Sequence, residues 1–76
     1  MKLSRHAKNN MRLYRIKELE IQAAIDSPER EETEGNKKIA YRTFPAKFSG
    51  LPLKVVYVVE DDKVVITAYP LKKSYT

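Results

Sequence analysis

"LPLKVVYVVEDDKVVITAYPL", residues 51–71, decides the fold. Two runs dense in β-branched and aromatic residues flank Asp61-Asp62. Such residues fit a pleated, half-buried surface, and two such runs around a short polar break read as a β-hairpin. If Asp61-Asp62 is a two-residue turn, Val59 faces Val64, Tyr57 faces Ile66 and Val55 faces Ala68. That face is apolar and is expected to carry the rest of the domain. The reverse face pairs Val58 with Val65, Val56 with Thr67 and Lys54 with Tyr69. It is apolar toward the turn and polar at its far end, the alternation of a sheet covered on one side.

Working back from the hairpin, "PAKFSGLP" (45–52) is a loop with two prolines and a glycine, and "KKIAYRTF" (37–44) is a preceding strand. Arg42 in that strand is expected to join the polar end with Lys54, Thr67 and Tyr69. Gly35-Asn36 signals a turn, and the acidic run "EREETEGN" (29–36) reads as an exposed loop. Before it the period becomes helical. Leu3, Ala7, Met11 and Tyr14 recur at four and three residues, one stripe of a helix, and Ser4 suits its N-cap. A second helix is expected from about Lys17 to Asp26, burying Ile21, Ala24 and Ile25, with Ile16 anchoring the turn between the two. Glu18 and Glu20 in its first turn favour the helix dipole, and Pro28 ends it by disfavouring helical geometry at Ser27. The expected architecture is one α+β domain over residues 1–76: two N-terminal helices packed on a three-stranded antiparallel meander.

The chain has 76 residues and a net charge of +5, unevenly spread. Residues 1–17 carry six bases and no acid, 18–34 seven acids against Arg30, and 35–76 eight bases against Glu60, Asp61 and Asp62. Basic regions of this kind favour a polyanion such as RNA, although a solvated lysine-rich surface has the same composition. No apolar run resembles a signal peptide or reaches the ~18 residues of a membrane span, so a cytoplasmic protein without membrane contact is expected. There is no Cys and a single His, which excludes thiolate zinc sites, His-rich metal sites and cysteine nucleophiles. No metal or cofactor is expected. A core this small leaves room for a homodimer or a bound partner to add stability.

Two groups of residues bear on chemistry. His6, the one side chain whose ordinary pKa lies near neutrality, sits in the cationic helix "SRHAKNNMRLYRI" (4–16). It reads either as an acid/base group or as a polar flank of the helix. Arg42, Lys54, Thr67 and Tyr69 read either as a phosphate-binding corner or as an ordinary exposed sheet face. Arg and Lys would stabilise charge on a phosphate, and Tyr69 would stack on a base or donate a proton. Arg5, Lys8, Arg12 and Arg15 are candidate RNA contacts. Asp61-Asp62 is a turn rather than a metal site.

"HAKNNMRLYRIKELEIQAAIDSPE" (6–29), "IAYRTF" (39–44) and "LKVVYVVEDDKVVITAY" (53–69) together resemble a widespread family of small bacterial domains. Those open with His-Ala, then Arg-Met and a second Arg, and carry a Tyr-Arg strand and a closing hairpin with a Thr-x-Tyr-like end. The same span is similar to the BrnT-type toxins. His6, Met11, Arg42, Thr67 and Tyr69 match by position. Asn10 stands where the family often has Arg, Tyr14 where its second Arg falls, and the C-terminal helix of the BrnT-type proteins is missing. The resemblance implies a RelE/ParE-like fold and a metal-independent ribonuclease toxin, neutralised by a small cognate antitoxin. His6 would then be the base, Arg42 and Lys54 the electrostatic clamp, and Tyr69 a stacker or acid. The alternatives are a non-catalytic module that binds nucleic acid or protein through the basic helix, and a scaffold that pairs through the hairpin edge.

Overall fold

The computed structural model describes residues 1–73. The elements are β1 (Lys2–Leu3), α1 (Arg5–Tyr14), α2 (Glu18–Asp26), β2 (Arg30–Glu34), β3 (Lys37–Arg42), β4 (Leu53–Val59) and β5 (Lys63–Pro70). The fold is α+β, but the sheet is five-stranded and mixed, in the order β1-β5-β4-β3-β2. The expected meander is its centre, β3 to β5. Two strands extend it. β2 forms within the acidic run read as a loop, paired antiparallel with β3 from Arg30↔Tyr41 to Glu34↔Lys37. β1 pairs parallel with β5, Lys2 beside Val64 and Leu3 beside Val65.

α1 starts and α2 ends where the sequence places them. Ser4 caps α1, its Oγ accepting the Ala7 N–H at 3.0 Å. Arg15 closes that helix in the left-handed region at φ 57°. Ser27 caps the C-terminal end of α2, just before Pro28. Ala7, Ile16, Ile21, Ala24 and Ile25 pack against Ala40, Leu53, Val55, Tyr57, Val65 and Ala68. α1 lies along β5, and α2 lies over β3 and β4. The helices therefore cover one face of the sheet. Of the expected α1 stripe, Ala7 is buried, Leu3 and Met11 pack at the core edge, and Tyr14 is 42% exposed.

The hairpin register agrees at one end and differs at the other. Lys54↔Tyr69, Val55↔Ala68 and Val56↔Thr67 pair as expected. Beyond them Tyr57 pairs with Val65, Val58 with Val64 and Val59 with Lys63. The turn is thus Glu60-Asp61-Asp62, one residue longer than a two-residue turn, and Ile66 is left over as a bulge. A bulge offsets the side-chain alternation by one. Val65 therefore shares the buried face with Ala68, and both are fully buried. Val59, expected under the helices, is 56% exposed.

Ser4 joins three elements at this bulge. Its N–H donates to the Val65 carbonyl at 3.0 Å, continuing the β1–β5 ladder. Its hydroxyl donates to the Ile66 carbonyl at 2.6 Å, and its own carbonyl accepts the Lys8 N–H at 2.9 Å. Ser4→Ala removes the cap and leaves the bulge carbonyl without its donor. The expected loss is about 1–2 kcal/mol, read as a fall in the urea midpoint with an unchanged slope.

Candidate functional site

The residues on the uncovered face follow from the cross-strand pairs. Arg30 pairs with Tyr41, Tyr41 with Lys54, and Lys54 with Tyr69. Directly paired residues point the same way, so these four form a row across β2, β3, β4 and β5. Cation and aromatic alternate along it. The Arg30 guanidinium lies 5.9 Å from the Tyr41 ring centre, and Lys54 Nζ lies 5.5 Å from that of Tyr69. The next row is Glu32, Ile39, Val56 and Thr67. Tyr41 donates its hydroxyl to Glu32 Oε1 at 2.9 Å, and Arg30 pairs with the other oxygen of Glu32 at 2.9 Å. The acids of β2 thus sit at the far edge, away from β5.

Two groups in the row titrate away from their ordinary values. Lys54 is pushed up, chiefly by the neighbouring Tyr69 hydroxyl, against the opposing effect of burial. Tyr41 is pushed up by burial and then by its hydrogen bond to Glu32. Lys54 therefore remains a cation beyond the range usual for lysine, and Tyr41 remains a neutral phenol.

Among the described residues α1 reaches this face through a side-chain hydrogen bond. Asn10 Nδ2 donates to Thr67 Oγ1 at 3.2 Å. Residues three and four apart share a side of a helix, so His6, Asn10 and Leu13 form one flank. His6 is exposed on that flank, one turn before Asn10. Arg5, Lys8 and Arg12 recur with the same spacing as a separate, exposed stripe, set apart from both the core stripe and the His6 flank by the 3.6-residue turn. Arg15 is the C-cap residue at the end of that stripe.

The expected grouping of Arg42 with Lys54, Thr67 and Tyr69 does not form. Arg42 pairs with Leu53, one residue away from Lys54, and so points to the helix side. There its Nη1 donates to the Ser27 carbonyl at 2.7 Å, at the C-terminal end of α2. A cation at that end also meets the favourable pole of the helix dipole. The guanidinium carbon lies 5.7 Å from the Phe44 ring centre. Arg42 holds α2 and is not part of the open-face corner. Lys54, Thr67 and Tyr69 do come together, with His6 on the adjoining helix flank.

Three participants escaped the sequence reading. Tyr41 follows once Lys54 is taken as outward, because its cross-strand partner must face the same way. Asn10 had a signal in its spacing from His6. Arg30 had none, since β2 read as a loop.

Among the described residues there is no pocket. No described group of three or more His, Asp or Glu residues is placed to hold a metal ion. No described helix is long and apolar enough to cross a membrane. A family model described as "Domain of unknown function (DUF4258)" matches residues 3–70. No curated protein and no solved structure matches the chain.

Tyr69→Phe removes the oxygen that raises Lys54 while keeping the ring. The Lys54 Nζ titration, followed by NMR, is expected to move to lower pH than in the unmodified protein. The interaction stabilises the fold below the ordinary lysine pKa of 10.5 and is lost as pH rises through the elevated one. The Tyr69→Phe stability deficit should therefore shrink above that range.

Proposed function

The chain belongs to the family described as a domain of unknown function, DUF4258, and we propose that this member is a toxin-type ribonuclease that engages RNA on the open face of its sheet. The reading takes the fold as RelE/ParE-like, the site of action as the cytoplasm, and a small cognate antitoxin as the regulating partner. One observation carries it. The Asn10–Thr67 hydrogen bond brings the His6 flank of α1 to the face that bears Lys54 and Tyr69.

The chemistry that this set suits needs no metal. His6 in its neutral form takes the proton of an RNA 2′-hydroxyl. The 2′-oxygen attacks the adjacent phosphorus, and the bond to the 5′-oxygen breaks. Lys54, held charged by Tyr69, stabilises the negative charge that builds on the phosphoryl oxygens. Tyr69 donates a proton to the departing 5′-oxygen or stacks on the flanking base. The products are a 2′,3′-cyclic phosphate and a 5′-hydroxyl. Arg42 has no part, unlike in the assignment implied by the resemblance. The ion pair of Arg30 with Glu32 leaves little free cation at the far edge, so Lys54 beside α1 is the attractive end for RNA.

A second reading rests on a different observation. Arg5, Lys8 and Arg12 form an exposed basic stripe of their own, which is sufficient for salt-dependent binding without cleavage. Incubation of the purified protein with a labelled oligoribonucleotide in EDTA separates the two. The nuclease reading expects cleavage that falls ~10²–10⁴-fold in His6→Ala, the usual contribution of a general base. Lys54→Ala should also fall sharply, while Arg42→Ala should cleave normally at a temperature where it stays folded. Binding without cleavage, lost gradually as Arg5, Lys8 and Arg12 are neutralised, would replace the nuclease by the binding module.

A further inference from the structure

Thr67 has one hydroxyl proton and two lone pairs. One lone pair accepts the Asn10 amide at 3.2 Å. A hydroxyl that accepts from Asn10 cannot also point its proton back at the same nitrogen. Among the described residues nothing accepts that proton. The half-buried Thr67, whose side chain lies on the open face by its pairing with Val56, therefore keeps a hydroxyl proton that no described residue accepts.

The nearest cation on that face is fixed by the register. Thr67 pairs with Val56 and Tyr69 with Lys54, so Thr67 and Lys54 are diagonal neighbours on β5 and β4. Such neighbours lie ~7–8 Å apart at the backbone, and the long, flexible Lys54 side chain can bring its ammonium to a phosphate oxygen while Thr67 donates to another. A neutral donor and an ammonium suit an anion and offer nothing to a cation. The Tyr69 ring lies beside both, next to Thr67 along β5 and opposite Lys54.

We infer that Thr67 and Lys54 form a two-donor subsite for a phosphodiester, and that Asn10 is its positioning residue, because it fixes the direction in which the Thr67 hydroxyl donates. This rests on the RNA reading above and deepens it. It gives a role to the residue that departs from the resembled family, where Arg is usual. An arginine there would present its own charge to a phosphate, whereas Asn10 works through the hydroxyl of Thr67.

The test is a double-mutant cycle on the full chain, read by fluorescence anisotropy with a labelled 2′-O-methyl oligoribonucleotide, which cannot be cleaved. Circular dichroism establishes that each variant is folded. Thr67→Val keeps the shape and removes the proton; binding is expected to weaken about tenfold, the effect of one hydrogen bond to an anion. Asn10→Asp turns the hydroxyl inward, since a carboxylate accepts and cannot donate, and should weaken binding at least as much. The double variant should bind no more weakly than Asn10→Asp alone, because the donor is already lost. If Thr67→Val binds as the unmodified protein does, the subsite is overturned and the RNA reading stands. If the two losses simply add, the added negative charge alone explains Asn10→Asp, and the positioning role is overturned.

Inorganic phosphate and NMR keep the subsite testable if the unmodified protein binds no RNA, the outcome that removes the RNA reading itself. Phosphate-induced shifts at Thr67 and Lys54 that vanish in Thr67→Val would then support an anion subsite independent of RNA. No shift at either residue would overturn the subsite as well.

Discussion

Ser4 ties β1 and α1 to the bulge in β5. A two-residue strand has little pairing energy of its own, and a ten-residue helix is marginal in isolation. Ser4 makes each support the other. The same residue ends the parallel ladder with its N–H, starts the helix with its carbonyl and side chain, and donates to the carbonyl that the bulge at Ile66 releases from the sheet. The bulge and the cap are thus mutually required. Ile66 needs a donor, and Ser4 needs an anchor that fixes α1 along β5. That anchor, together with the packing of Ala7 and Met11, holds Asn10 opposite Thr67.

How far the sequence discloses this arrangement depends on where its periodicity is clean. The β-branched runs around Asp61-Asp62 identify β4 and β5, and the three-and-four spacing with Ser4, Ser27 and Pro28 identifies both helices and their ends. β2 is hidden because its residues are "REETE", a composition depleted in strand formers. It is held by its ladder to β3 and by side-chain bonds such as Tyr41 to Glu32. β1 is hidden because two residues show no period. The open-face corner was half legible. Lys54, Thr67 and Tyr69 lie on the side of the bulge where the simple register is right. Arg42 was misassigned because strand parity is absolute: a pairing with Leu53 rather than Lys54 sends its side chain through the sheet.

Charge and fold are arranged together. The basic N-terminal segment becomes α1 at one side of the sheet, and the acidic segment becomes α2 and the opposite edge strand β2. An edge strand lined with charged side chains is a poor template for another strand, so the β2 charges protect the one edge that no helix flanks. The other edge is protected differently, by the short β1 and by α1. On the open face the β2 end carries the ion pair of Arg30 with Glu32, whereas Lys54 on β4 has no acid opposite it. Arg42 shows the converse economy: a cation that would suit a phosphate instead satisfies a carbonyl at the end of α2.

The parallel pairing of Leu3 with Val65 sets the order of assembly. The first strand and helix have their sheet partner in β5, so the entropy of closing that long loop is met before α1 docks on the sheet. During synthesis β2 and β3 can pair early, and β4 can join them as it emerges. The N-terminal segment must wait, positively charged and undocked, until β5 has left the ribosome. The histidine flank and the sheet corner it adjoins are consequently brought together only once β5 is available to receive them.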